Sequence, residues 1–438
     1  MNADTMNPVL LEPTDLLFFR DGVPMSAGQG RGAGCRMPFP STLHEAFRAS
    51  LLTAYHKSTS GKMVPGRPRG APRKGNWHKL SHETDVLISS KAYQSLCTIG
   101  PFPWTEKTGI LLPVPLDVAW ENIPGTPNEA PPGALRTLQL LREQPASAGS
   151  GFHPLCLPVA VTPPAKLGQL HGWWTTTQFA DYLQGETANT GQRFRPIPQA
   201  ELWQAEHRVG VQINPGSFAA ESGQLYAGSY LRPHTHTRFA CQIGLKQPMN
   251  GEQKELIELD WLLLGGDQRL ARVWRDGFAD PFTSLGKAPE PPNGDGPCLL
   301  KWVLVTPALF AHGNLPGWCA DTKKDHSGGR PIGCVCLDLP SPCQLISWCL
   351  GKPLTVSGWD VVEQRAKPTR LAVPAGSVFY FLCQNRNTAA ELARKLHWQP
   401  RSDFYGEKGC GYGLVSFDVQ MHCTSPDVRT VANELFNQ

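Results

Sequence analysis

Val378-Phe379-Tyr380-Phe381 is followed by Thr388 to Leu396, then by Gly406-Glu407-Lys408-Gly409-Cys410-Gly411-Tyr412-Gly413 and by Leu414 to Val419. The first run closes a strand-like alternation that begins at Ala372 and passes through Pro374-Ala375-Gly376. Thr388 with Glu391 makes a capping box and predicts a helix through Leu396. The glycine-rich segment then leads into a last strand, Leu414 to Val419. Leu299 to Thr306, Cys334 to Leu339 and Leu354 to Trp359 are strand candidates upstream. Strand, helix, strands, helix, strand is the order of a ferredoxin-like unit.

The N-terminal part begins the same way. Val9 to Arg20 reads as a strand with Asp15 inside it, and Asp21-Gly22 supplies a turn. A glycine-rich stretch from Gly28 to Gly34 carries Arg31. Thr42 with Glu45 then makes a second capping box. Leu43, Phe47, Leu51 and Ala54 recur at helical spacing and face a core, which turns Arg48 outward. The expectation is an α+β protein of two ferredoxin-like (RRM-like) domains with long loop insertions. Their bounds are 1–287 and 298–438, parted by a Pro/Gly-rich linker from Ala288 to Pro297.

The chain has 438 residues and a formal net charge of +4. That average is too small to make a nucleic-acid surface, so any such surface comes from local clustering. With 43 Gly and 41 Pro, loops are many and long helices few. No stretch approaches the roughly 18 apolar residues that span a bilayer, and no signal peptide is legible. The 13 cysteines are odd in number and scattered, which reads as reduced, buried thiols in a cytoplasmic protein. Cys334, Cys336, Cys343 and Cys349 are the densest group, and their spacing is not that of a CxxC pair.

Three features bear on function. Lys57, Lys62, Arg67, Arg69, Arg73, Lys74 and Lys79 run without an Asp or Glu among them. Such a segment suits phosphate neutralisation or a solvated insertion. Trp77 beside it offers a base-stacking surface. Glycines at 409, 411 and 413 permit a close backbone approach, either to a phosphate or in a plain turn. Their spacing is not that of a P-loop, and their place before a strand is not that of a Rossmann fingerprint. Leu16-Leu17-Phe18-Phe19-Arg20-Asp21-Gly22 puts a guanidinium at a sheet edge, where Asp15 or Asp21 can pair with it. His234 and His236 share a strand face, a metal-like spacing that a polar loop or strand also explains. No GxSxG, HExxH or kinase signature occurs. No catalytic residue, metal or cofactor is expected.

Glu12-Pro13-Thr14-Asp15-Leu16-Leu17-Phe18-Phe19-Arg20-Asp21-Gly22-Val23-Pro24 resembles the N-terminal signature of the Cmr3 family of type III-B CRISPR complexes, part of the RAMP superfamily. Pro40 to Arg48 is similar to that family's first helix. Val209-Gly210-Val211, Leu225-Tyr226, Leu264-Gly265-Gly266, Gly358-Trp359-Asp360 and Val373 to Val378 continue the likeness, and Gly409 to Gly413 resembles the RAMP glycine-rich loop. Glu45 stands where the family usually has Gly. The resemblance implies a non-catalytic subunit that grips the 5′ tag of the CRISPR RNA. It also implies contacts with a Cas10-type large subunit and a Cmr4-like backbone subunit, and no membrane. Arg20, Arg31, Arg36, Thr42, His44 and Arg48 are the RNA contacts expected around the first helix. Lys62, Arg67, Arg69, Arg73 and Lys74 are those of the basic insertion, and Lys408, Gly409, Gly411 and Gly413 those of the loop. The alternatives are a metal-independent RNA-processing endonuclease, with His44 or His56 as base, and an interaction scaffold with little RNA affinity of its own.

Overall fold

The structure is a computed structural model. It describes residues 6–19, 31–32, 37–60, 93–122, 135–142, 156–159, 166–185, 193–248, 252–267, 269–280, 282–294, 296–321, 333–335, 337–360, 365–417 and 426–436. The first half runs β1 (Met6–Pro13), α1 (Pro40–Ser60), β2 (Leu96–Thr105), β3 (Gly109–Pro113), β4 (Trp173–Thr175), α2 (Thr176–Leu183), β5 (Trp203–Ile213), β6 (Ala220–Pro233), β7 (Thr237–Leu245), α3 (Glu252–Glu258), β8 (Trp261–Leu263) and β9 (Leu270–Trp274). The second runs β10 (Cys298–Leu304), β11 (Cys319–Asp321), β12 (Gly333–Val335), β13 (Cys343–Cys349), β14 (Leu354–Val356), β15 (Arg370–Ala372), β16 (Val378–Cys383), α4 (Arg386–Leu396), β17 (Gly413–Ser416) and α5 (Pro426–Phe436). Short strands between 118 and 169 form two small sheets.

The first large sheet has the order β4-β3-β2-β7-β1-β9-β8, and the second β11-β12-β13-β16-β10-β17. In the first, β9-β1-β7-β2 are neighbours and every pairing is antiparallel. α1 joins β1 to β2, and α3 lies between β7 and β9. In the second, β17-β10-β16-β13 repeat the same order, again antiparallel. There α4 lies between β16 and β17, but among the described residues β11 and β12, not a helix, stand between β10 and β13.

The strand sequences dictate three cores. On β16, Val378, Tyr380 and Leu382 face one way and Phe379, Phe381 and Cys383 the other. An uninterrupted apolar run marks a strand covered on both faces. One face packs with Leu392, Ala393 and Leu396 of α4. The other meets Leu10, Ile99 and Phe102 of the first sheet, so the two sheets are stacked face to face. On the far side of the first sheet, Val9 and Leu11 pack on Leu43, Phe47 and Leu51 of α1. Val428, Val431 and Ala432 of α5 close the inter-sheet core with Leu140 and Cys156.

Several boundaries depart from the sequence reading. The stretch Val9 to Arg20 is not one strand, because Pro13 ends the ladder. Leu17 resumes pairing elsewhere, exchanging backbone hydrogen bonds with Leu231 at 2.8 and 2.9 Å. α1 starts at Pro40, two residues before Thr42, since proline suits the first helical position. Thr42 therefore lies inside the first turn, and Glu45 bonds to Lys408 instead of capping. α4 is capped by Asn385, whose side chain accepts from the Thr388 amide. Glu391 instead pairs with Arg394 and Lys395. The helix read at Thr176 to Leu183 spans those residues, with Thr175 and Gln178 forming its capping box.

A charged pair sits between the sheets. Lys301 of β10 is 2% exposed and Asp117 fully buried, with Nζ 3.4 Å from Oδ2. Tyr182 and Tyr380 donate hydroxyl hydrogen bonds to the same carboxylate at 2.6 and 2.9 Å. The ammonium also lies 4.1 Å from the Tyr182 ring centroid. Asp117 and Tyr182 belong to the first half and Lys301 and Tyr380 to the second, so the network spans the seam. Removing one charge leaves the other desolvated, which costs about 3–5 kcal/mol. Asp117→Asn is expected to lose that much stability in urea unfolding. The double variant Asp117→Asn, Lys301→Met is expected to lose less than the sum of the two single variants. Additive losses would mean the pair is not coupled.

Candidate nucleic-acid interface

Part of the Phe18-Phe19 signature, the start of α1, Gly265-Gly266, Gly358 and Lys408 line one groove of about 550 Å³. Phe18 and Phe19 form one wall, resting on the turn that follows β8. Gly265 has φ +80°, and a Cβ there would stand 2.6 Å from the Phe18 carbonyl oxygen, so only glycine fits. The Gly266 amide donates to that same oxygen at 2.7 Å. Thr42 and Glu45 of α1 line the floor with Tyr405 and Lys408. The opposite wall is made by residues 354–358 with Lys367, Pro368 and Arg370.

Three cations, Lys367, Arg370 and Lys408, face the groove against one carboxylate, Glu45. The Arg370 guanidinium lies 3.9 Å from the Phe404 ring centroid, which holds the cation without neutralising it. Lys408 Nζ donates to Glu45 Oε1 at 2.5 Å and lies 4.9 Å from the Tyr405 ring centroid. Burial works to raise the Glu45 pKa, but the hydrogen bond and charge of Lys408 prevail, and Lys367 adds to the lowering. The groove thus carries more cations than carboxylates, beside the half-buried Tyr405 ring.

The expected contacts separate into groups. Lys408 and Thr42 line this groove. Arg48, on the same helix, is half-buried. His44 is only 4% exposed and its Nδ1 sits 3.3 Å from Thr98 Oγ1, so it is a packed residue, closed to RNA. Gly409, Gly411 and Gly413 are also buried, which corrects the reading of a backbone open to phosphate. Their glycine is demanded from within. A Cβ at Gly409 (φ +91°) would stand 2.8 Å from the Thr98 carbonyl oxygen. One at Gly411 (φ +77°) would collide with the Ser402 backbone, and one at Gly413 with the Trp302 ring. Arg31 is described as backbone only, in a two-residue strand parallel to Ala227–Gly228 of β6. Arg20, Arg36, Lys62, Arg67, Arg69, Arg73, Lys74 and Trp77 lie outside the described residues.

Two expectations about pairing resolve differently. Asp15 pairs with Arg269 at 3.3 Å and with Arg232 at 3.7 Å. His234 and His236 stack at 5.8 Å, each with Nε2 on a backbone carbonyl, of Ala200 and Glu201. Among the described residues no three potential ligands come together as a metal site, and no helix is long and apolar enough to cross a membrane.

Sequence reading missed Lys367, Arg370 and Tyr405. The signal was present: Arg365, Lys367 and Arg370 follow one another without a carboxylate between them. It also missed an arm. β5 and β6 form a long ribbon whose tip carries Phe218, 84% exposed, with Val209 and Leu225 bare along its strands. Exposed apolar side chains grouped this way mark a contact surface.

Compared with known proteins, residues 9–417 match the family model described as CRISPR-associated protein (Cas_Cmr3). Curated protein sequences gave no match. Among solved structures, a chain of the type III-B Cmr-beta complex bound to cognate target RNA and AMPPnP is 14% identical. The alignment covers 85% of this chain and 86% of that one, with a TM-score of 0.41. A chain of the Csm3-Csm4 subcomplex of the type III-A CRISPR-Cas interference complex is 9% identical, over 87% and 93%, with a TM-score of 0.33.

Burial pushes His44 down to about 4; Glu45 opposes that shift, while Lys408 and Arg48 add to it. Between pH 6.5 and about 4 the unfolded chain takes up a proton at this residue that the folded chain refuses. Stability therefore falls as pH drops through that window, by at most about 3 kcal/mol. His44→Gln is expected to lose less stability than the parent between pH 7 and pH 5 in urea titrations. Parallel profiles would exclude His44 as the source.

Proposed function

The chain belongs to the Cas_Cmr3 family of CRISPR-associated proteins, and from that premise we propose that it is a non-catalytic subunit of a type III-B CRISPR RNA-guided effector complex. In this reading it binds the 5′ tag of the CRISPR RNA and joins a Cas10-type large subunit to a Cmr4-like backbone subunit. Its architecture is two ferredoxin-like units, with bounds near 1–287 and 298–438. The supporting topology is the repeated strand order β9-β1-β7-β2 and β17-β10-β16-β13. Among the described residues, β11 and β12 stand in the second unit where the first helix of such a unit would be.

The observation that carries the RNA-binding part is the groove, where three cations outnumber one carboxylate. Phosphates compete with Glu45 for Lys408, and Arg370 on Phe404 is already oriented. An unstacked tag base finds Tyr405 beside them. The exposed apolar residues of the β5–β6 arm suit contact with a neighbouring subunit. An endonuclease reading has less support, since His44 is buried, hydrogen-bonded to Thr98 and held neutral well below pH 7.

Glu45→Gln is expected to bind tag-bearing RNA more tightly than the parent, because it removes the group that competes for Lys408. Lys408→Ala and Arg370→Ala are expected to bind more weakly, each by roughly 3- to 10-fold, and to lower the salt dependence by about one counterion. Gel-shift titrations at two salt concentrations measure both. Tighter binding by Lys408→Ala would remove the groove from the RNA path.

A further inference from the structure

On the face of the first sheet away from α1, one cross-strand row reads Trp104, Arg238, Glu12, Arg272, Trp261. On β2, β7, β1, β9 and β8, Trp104 lies opposite Arg238, and Arg272 opposite both Glu12 and Trp261, while Arg238 and Glu12 meet through their side chains. With strands roughly 4.8 Å apart, the row is about 19 Å long. Trp274, one pleat along β9, lies beneath it. The Arg272 guanidinium lies 3.9 Å from the Trp274 ring centroid, and that of Arg238 is 5.3 Å from the same ring and 5.8 Å from Trp104. Glu12 accepts from Arg238 at 3.1 Å and from Trp274 Nε1 at 2.7 Å. Its two oxygens are thus engaged, and among the described residues Arg272 has no carboxylate partner. The guanidinium is held flat by the ring with its hydrogen-bonding edge unspent.

Beside Arg272 the row opens into a hollow of about 590 Å³, walled by Trp261, Thr14 and Arg232 and by two carboxylates, Glu12 held by Arg238 and Trp274, and Asp15 held by Arg232 and Arg269. Trp261 is 47% exposed, a large apolar face left bare. A bare indole beside an oriented guanidinium is the pair that takes a flat heterocycle carrying a phosphate.

We propose that this hollow binds one unpaired nucleotide of a single-stranded RNA. The base stacks on Trp261, and Arg272 takes the phosphate. The charge favours nucleic acid over a protein partner: after pairing, the row and its hollow leave a cation unspent, not an anion. The site lies on the opposite face of the sheet from the groove at α1. It shares only its ligand class with the proposed function.

The test uses the full-length chain and a fluorescein-labelled mixed-sequence single-stranded RNA, read by anisotropy, with the same RNA as a duplex for comparison. Trp261→Ala and Arg272→Ala are each expected to weaken single-strand binding roughly tenfold. Trp261→Phe is expected to recover most of it, which separates stacking from loss of fold. Ultraviolet crosslinking is expected to place RNA on the peptide containing Trp261. Unchanged affinity of Trp261→Ala overturns the proposal, as does equal binding of the duplex. If only Arg370→Ala and Lys408→Ala weaken binding, the hollow is excluded and the groove stands. If only the Trp261 and Arg272 variants do, the hollow stands and the groove is excluded. A parent chain that binds no RNA overturns both. A Trp261→Ala variant with normal RNA affinity that fails to join a protein partner makes the row a protein surface and overturns the proposal.

Discussion

The structure depends on two sheets being pressed face to face with a charged pair caught between them. Asp117 and Lys301 are cut off from water, and two tyrosine hydroxyls are needed to hold the carboxylate. Burial and the Asp117 charge push the Tyr380 phenol well above its ordinary pKa, so it remains a donor. A buried pair of this kind adds little net stability compared with apolar packing. Its effect is directional. The sheets can slide or rotate only by stranding a charge, so one orientation of the halves is selected. Other contacts follow from that orientation: the Leu116 amide donates to the Gly376 carbonyl at 2.9 Å, and the Thr98 amide to that of Glu407 at 3.1 Å.

With the orientation set, the glycine-rich loop is squeezed between Thr98, Ser402 and Trp302, and its glycines answer to that squeeze. Val373 to Val378 has the same logic. Gly376, at φ +89°, lets the turn before β16 meet Val114, where a Cβ would stand 2.7 Å from the carbonyl oxygen. These segments weld the halves together. The cation-lined groove lies beside the weld, built from the side chains that such close contact leaves at its rim. Lys408 is the hinge between the two roles, since its backbone belongs to the tight loop and its ammonium to the groove.

Much of the fold was legible because strand and helix periods are local. The apolar run at Val378 and the stripe Leu43, Phe47, Leu51 identified their elements and faces. Caps were read less well, because Thr42 and Thr388 fit a motif that Pro40 and Asn385 pre-empt by starting each helix earlier. The site was half legible. Lys408 could be singled out by its glycine neighbours, but whether those glycines meet RNA or protein depends on Ser402 and Thr98, the latter some 300 residues away in sequence. Arg370 and Tyr405 reach the groove only through the pairing of β14 with β15 and the turn after α4. The Arg–Trp row was invisible for the same reason: its five members come from five strands, and only the register aligns them.

The two faces of the first sheet then divide the work. α1 and α3, together with Trp203 and Leu231 of the β5–β6 ribbon, cover one face, and Val9, Leu11, Leu262 and Val273 are buried in that core. The second half covers the other face only in part, over Leu10, Ile99 and Phe102. Beyond those residues the sheet runs out past its cover, and the side chains there change from aliphatic to arginine and tryptophan. A sheet edge left bare by incomplete stacking invites aggregation when it is apolar. Here guanidinium groups held on aromatic rings stand in place of an apolar surface, and the same charge is the one proposed to receive an anionic strand. The solution to the edge problem and the recognition chemistry are, at Arg272 and Trp274, one arrangement.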